Sequence, residues 1–151
     1  MNIEERDRKI AARIKEARGM TEDHAGLSLL VEHCAKRIGD SQKTIAEWAK
    51  RAAEEPADAI QWSHGAIAAN WDLLFYMQTL NIVCDASDDA SRFARLKLKH
   101  EDLRIALIEG RYEDKSTSAT SRAVGESNTV AARNALRSMN ELMREVEKQG
   151  W

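Results

Sequence analysis

The sequence predicts an all-α chain, and three observations carry that prediction. Ala, Glu, Arg, Lys and Leu, the strong helix formers, dominate its 151 residues. Only one proline, Pro56, and seven glycines punctuate it, too few turn residues for a β-sandwich. Apolar residues recur at three- and four-residue spacing through most of its length. With 43% apolar and 32% charged residues, the chain has the balance of a globular protein.

The elements follow in order. Ile3, Ile10, Ile14 and Ala17 mark a first helix over residues 2–18, stopped by Gly19. After a connector, Leu27, Leu30, Val31, Cys34, Ala35 and Ile38 form one buried face of a second helix, with Gly39 as its end. Ser41 caps a third helix whose Ile45, Trp48, Ala49 and Ala52 face inward, and Pro56 redirects the chain. Residues 57–83 are mostly helical, with Ile60, Ile67, Trp71, Leu74 and Phe75 as the buried stripe and a break expected near Ser63-His64-Gly65. Trp48, Trp62 and Trp71 are expected in the core. Ser87-Asp88-Asp89 caps a helix that carries Phe93, Leu96, Leu103 and Leu107 and ends at Gly110. Residues 111–128, rich in Ser and Thr, are expected to be a flexible linker after a helical domain over 1–110. From 129 to 151 a coiled-coil-like helix follows. Its seam of Ala132, Leu136, Met139, Met143 and Val146 has 4-3-4-3 spacing, and Leu136, Met139, Met143 and Val146 are expected to join copies of the chain.

One stretch carries a functional pattern. From Cys34 to Arg51 the chain reads CAKRIGDSQKTIAEWAKR, with Ala35, Gly39, Ser41, Thr44-Ile45 and Trp48 at the spacing A-x3-G-x-S-x2-T-I-x2-W. The stretch resembles the helix-turn-helix of DNA-binding regulators, placed here at about residues 27–55. In that resemblance Ala35 lets two helices touch, Gly39 supplies a positive φ for the turn and Ser41 caps the reading helix. Arg37, Ser41, Gln42, Lys43, Thr44, Glu47, Lys50 and Arg51 are then the expected DNA-binding residues, with Gln for adenine and Lys or Arg for guanine and phosphates. Asp40 departs from the pattern, where an aliphatic residue is usual. Five bases against two acids between residues 36 and 51 favour DNA locally, although the whole chain carries −2. Any two helices packed through a glycine share part of this spacing.

The resemblance implies a small phage-type transcription regulator that binds double-stranded DNA as a homo-oligomer. A DNA-recognition subunit like a phage terminase small subunit is a second expectation. A non-catalytic helical interaction or inhibitor protein is a third, supported by the near-neutral charge. Arg95 and His100, in R-x4-H form, resemble the ribonuclease motif of all-α HEPN nucleases, but Leu96 stands where that family has a polar residue. His100 falls on its helix's apolar stripe, which fits packing better. No nucleophile, phosphate-loop or metalloprotease motif occurs, so neither catalysis nor a cofactor is expected. His24, His33, His64 and His100 show no metal spacing, and no small-molecule ligand is evident. No apolar run reaches the roughly 18–20 residues of a membrane span. The charged start and two unpaired cysteines, Cys34 and Cys84, are those expected of a cytoplasmic chain.

Overall fold

The computed structural model describes residues 2–116 and 118–149, with the side chains of residues 59–64 excepted. Among the described residues it is all-helical: α1 (Ile3–Met20), α2 (Ala25–Glu54), α3 (Ala59–Asp85), α4 (Asp89–Ile108) and α5 (Ala119–Gln149), with a single 3₁₀ turn, Pro56–Asp58, between α2 and α3. The expected burial of Ile60 and Trp62 lies outside the described side chains, but the backbone is helical across Ser63-His64-Gly65, so the expected break there is absent.

The expected turn at Gly39 is also absent. α2 is one helix of 30 residues, and the one glycine with a positive φ among the described residues is Gly110. The phase of the apolar positions explains the continuity. Leu27, Leu30, Val31, Cys34, Ile38 and Ser41 are buried, with Ile45 and Trp48 half-buried beyond them. These positions stay on one side of a single rod, without the shift that a change of helix axis imposes. A helix-interior glycine costs only about 1 kcal/mol relative to alanine, which so long a stripe outweighs. Gly39→Ala, whose added methyl would meet nothing within 4 Å, is therefore expected to stabilise the protein by about 0.5–1 kcal/mol. A rise in urea midpoint checks this; a loss of stability would restore the turn.

α2 and α3 form an antiparallel hairpin, as successive contacts along it show: His33 with Tyr76, Arg37 with Asp72, and Trp48 against Gly65. α1 lies along both helices. Gln42 Nε2 donates to Asp7 Oδ1 at 3.0 Å and Arg18 Nε to Glu32 Oε1 at 2.7 Å, while Arg13 reaches Asn81 and Asp85. The α3–α4 corner is held by buried Arg92, whose Nε donates to the Val83 carbonyl at 2.8 Å, and by Asp88, which accepts from the Ser91 amide at 2.7 Å. Gly110, at φ 68°, ends α4 as expected.

α5 overturns two expectations. It begins at Ala119, so only residues 109–118 remain between helices. Its first turns are pinned where Gly125 meets the backbone of Tyr112 and Asp114, and where Thr129 Oγ1 donates to the Gly125 carbonyl at 2.8 Å. Ser and Thr there satisfy themselves locally, so a polar composition does not prevent a helix. The seam is also occupied: Ala132, Met139, Met143 and Val146 are buried in the chain's own core, and Leu136 packs at its edge. The residues expected to join subunits thus cover α2, α3 and α4 of the same chain. The backbones of α5 and α2 come so close that a Cβ on Gly26 would sit 2.6 Å from the Glu145 carbonyl oxygen.

Candidate interaction surface

α3 is the centre of the bundle and has no charged face. Between Gly65 and Cys84 its only charged residue is Asp72. Ala69, Leu73, Phe75, Tyr76, Thr79, Leu80 and Val83 are buried, as befits a helix enclosed by neighbours. The remaining face is open, however. Leu74 is 56% exposed, and Ile67, Trp71 and Met77 are half-buried beside it. The exposed amides Asn70, Gln78 and Asn81 complete that face. The sequence placed Leu74 and Phe75 on one buried stripe. They are neighbours about 100° apart on a helix, and only Phe75 points inward.

Three grooves meet at Leu74. One of about 450 Å³ runs between α3 and α4, with Trp71, Phe75 and Tyr112 along it and Lys99, Asp102 and Arg111 at its edge. A second, about 360 Å³, separates α3 from α1 beside Arg6, Lys9 and Arg13. The third, about 470 Å³, continues past Ile67 to Ile45 and Asn128. The first groove has rigid walls. Trp71 stacks on Phe75 with centroids 5.0 Å apart, and Tyr112 meets Trp71 edge-on at 5.7 Å. Lys99 lies 4.6 Å above the Phe75 ring and donates to Gln78 Oε1 at 2.8 Å. Burial holds its ammonium below the ordinary lysine range, and Asp102 only partly offsets this.

The residues expected to touch DNA are dispersed. Arg37 is paired with Asp72, Ser41 is buried, and Gln42 ties α2 to α1. Thr44 Oγ1 donates to the Asp40 carbonyl at 2.9 Å. Along the exposed end of α2, Glu47 pairs with Arg51 at 2.9 Å and Lys50 with Glu54 at 4.0 Å, while Lys43 is exposed. Arg51 also lies over the Trp48 ring. Without a turn, these side chains distribute around a rod instead of forming the projecting edge of a second helix. His100 Nε2 stands 2.6 Å from Asn140 Oδ1, a contact between α4 and α5, and Arg95 is exposed.

Arg37 and Asp72 belong to a polar seam inside the bundle. Burial keeps the Asp72 carboxyl above its ordinary range despite its hydrogen bond from Arg37. Burial works against the Arg37 charge too, yet the bond to Asp72 holds that guanidinium above its ordinary value. Next along the seam, the Tyr76 hydroxyl lies 3.4 Å from His33 Nε2. Burial, then Arg37 and Lys36, lower the His33 pKa. Arg37→Met is expected to cost about 2–3 kcal/mol, below the 3–5 of a fully buried pair, because the Arg37 side chain is 37% exposed. An acid with a raised folded pKa favours the fold while protonated and loses that contribution as pH rises through the folded value. The penalty of Arg37→Met should therefore shrink as the pH falls through the raised Asp72 value and the carboxyl takes up its proton; urea melts at neutral and acid pH check it.

No family model matches the chain, and no curated protein or solved structure matches it. Among the described residues, no cluster of three or more His, Cys, Asp or Glu side chains could hold a metal ion, and no helix is long and apolar enough to cross a membrane.

Proposed function

We propose that this chain is a non-catalytic helical interaction protein that receives a partner on the outer face of α3. The observation that carries this reading is Leu74, more than half exposed in the middle of a charge-free helix face where three grooves meet. Single exposed leucines are ordinary. A contiguous apolar face with amides between its apolar residues, depleted of charge along some four turns, has the composition of an interface centre. Covering Leu74 alone is worth about 1 kcal/mol at the usual area coefficient. The rigid Trp71–Phe75 pair beside it offers the aromatic surface in which binding energy concentrates.

DNA binding, the expectation raised by residues 34–51, rested on a projecting reading helix, and α2 is continuous there. It therefore enters the test as the competing outcome. A photo-crosslinking amino acid is placed at position 74, and at position 43 as a control, in the full chain in its native cells. The expected result is one discrete protein adduct from position 74, identified by mass spectrometry, whose purified form binds the parent chain and not Leu74→Asp. Adducts to DNA from position 43, with none from position 74, would replace this reading with the DNA-binding one.

A further inference from the structure

The chemistry of the groove rims narrows the partner, and this inference rests on the interaction reading above. The floor along α3 is apolar or amide, whereas the charged groups lining the grooves are Arg6, Lys9 and Arg13 on one side and Lys99 and Arg111 on the other, against the single carboxylate of Asp102. Several of these cations are available. Arg6 and Lys9 have only loose contacts with acids of their own helix, at 3.6 and 3.7 Å. Lys99 makes no ion pair among the described residues; its contacts are the Gln78 amide oxygen and the Phe75 ring. It is thus a half-buried cation beside an open groove, with the Asp102 carboxylate near it but not in ion-pair contact. Arg13 and Arg111, by contrast, are engaged by Asp85 and Glu109.

The shape fits a helix. The open stripe from Ile67 to Asn81 is about 21 Å long at 1.5 Å per residue, some four turns. It lies in the valley between α1 and α4, where another helix can pack as helices do against one another. We propose that this valley docks an acidic amphipathic helix of another protein, whose apolar stripe covers Leu74 and Trp71 and whose carboxylates meet Lys99 on one rim and Arg6 and Lys9 on the other. A second copy of this chain fits less well, because a two-fold interface sets the same patch on itself and brings cation against cation. Duplex DNA fits less well still, since its phosphates would face an uncharged floor.

The test uses fluorescein-labelled model helices of about eighteen residues, long enough to span the valley. One carries Leu and Trp at positions i, i+3, i+4 and i+7 with Glu on its flanks. A second has every Glu replaced by Lys, and a third keeps the composition of the first with the stripe scrambled. Anisotropy titration of the full chain is expected to show the Glu helix binding at least about tenfold tighter than either control, and weakening with added salt. Leu74→Asp should abolish that binding. Lys99→Gln should weaken it by about five- to tenfold, with circular dichroism showing both variants folded. Equal binding of the Glu and Lys helices, binding indifferent to Leu74→Asp, or no binding of the Glu helix overturns the inference. If position 74 still yields a protein adduct in cells, the interaction reading survives that failure. If position 74 yields none, the interaction reading itself falls.

Discussion

Deleting residues 128–151 is expected to abolish cooperative folding. The deletion strips Ala131, Ala132, Ala135, Met139, Met143 and Val146 from the core, none more than 5% exposed in the intact chain. Burial of Met139, Met143 and Val146 alone contributes on the order of 5–9 kcal/mol, at about 1.5–3 kcal/mol for each large apolar side chain. A domain of this size has a net stability of only about 5–15 kcal/mol. The loss also uncovers the α2–α3 hairpin along its length, from Gly26 to the Tyr76 ring. Thermal melts followed by circular dichroism, with a hydrophobic dye reporting exposed core, would show a broad transition and strong dye binding. A sharp melt near the parent's temperature would mean that α5 docks weakly and that its seam serves a different surface.

Tyr76→Ala is the single substitution expected to cost most, about 3–5 kcal/mol, in the range of large aromatic truncations. Tyr76 is 1% exposed, and its ring meets His33 and Phe75 edge-on at 5.4 and 5.2 Å. Its hydroxyl also reaches the Ser138 side chain on α5, so the residue joins three helices. Removing it leaves a cavity and strands the polar partners of that hydroxyl. Tyr76→Phe separates the two effects: it keeps the ring and should lose only about 1 kcal/mol. Denaturant midpoints of the two variants decide the partition. A Phe variant as damaged as the Ala variant would place the energy in the hydroxyl network and not in the packing.

The parts of the fold legible in the sequence are those bounded by strong local signals. Asp88 before α4 and Gly110 after it are a cap and a stop that act within one turn, and the structure uses both. Gly39 and Ser41 carry the same local signals and are overridden. The continuing stripe from Leu27 to Trp48 buries more than a glycine costs, and that comparison depends on what packs against α2. The start of α5 was hidden because Ser and Thr read as linker until the backbone of residues 112–114 is seen lying on Gly125. The α3 face was hidden for a different reason. Leu74 looks like core in any window of sequence. Only the placement of α1 and α4 on either side of α3 shows which apolar residues were left uncovered. Lys99, likewise, reads as one more base in a charged helix until it is found against Phe75 at the edge of an open groove, with no ion pair among the described residues.

The position of α5 in chain order has a consequence for synthesis. Gly26 and Val146, which touch in the finished bundle, are separated by most of the chain. During translation at about 5–20 residues per second, α1 to α4 leave the ribosome several seconds before the helix that covers them. For that interval the inner sides of α2 and α3 lack their third wall, and closing the bundle requires a contact of high sequence separation. The nascent chain therefore passes through an obligatory stage with its apolar interior ajar, in which chaperone engagement is greatest.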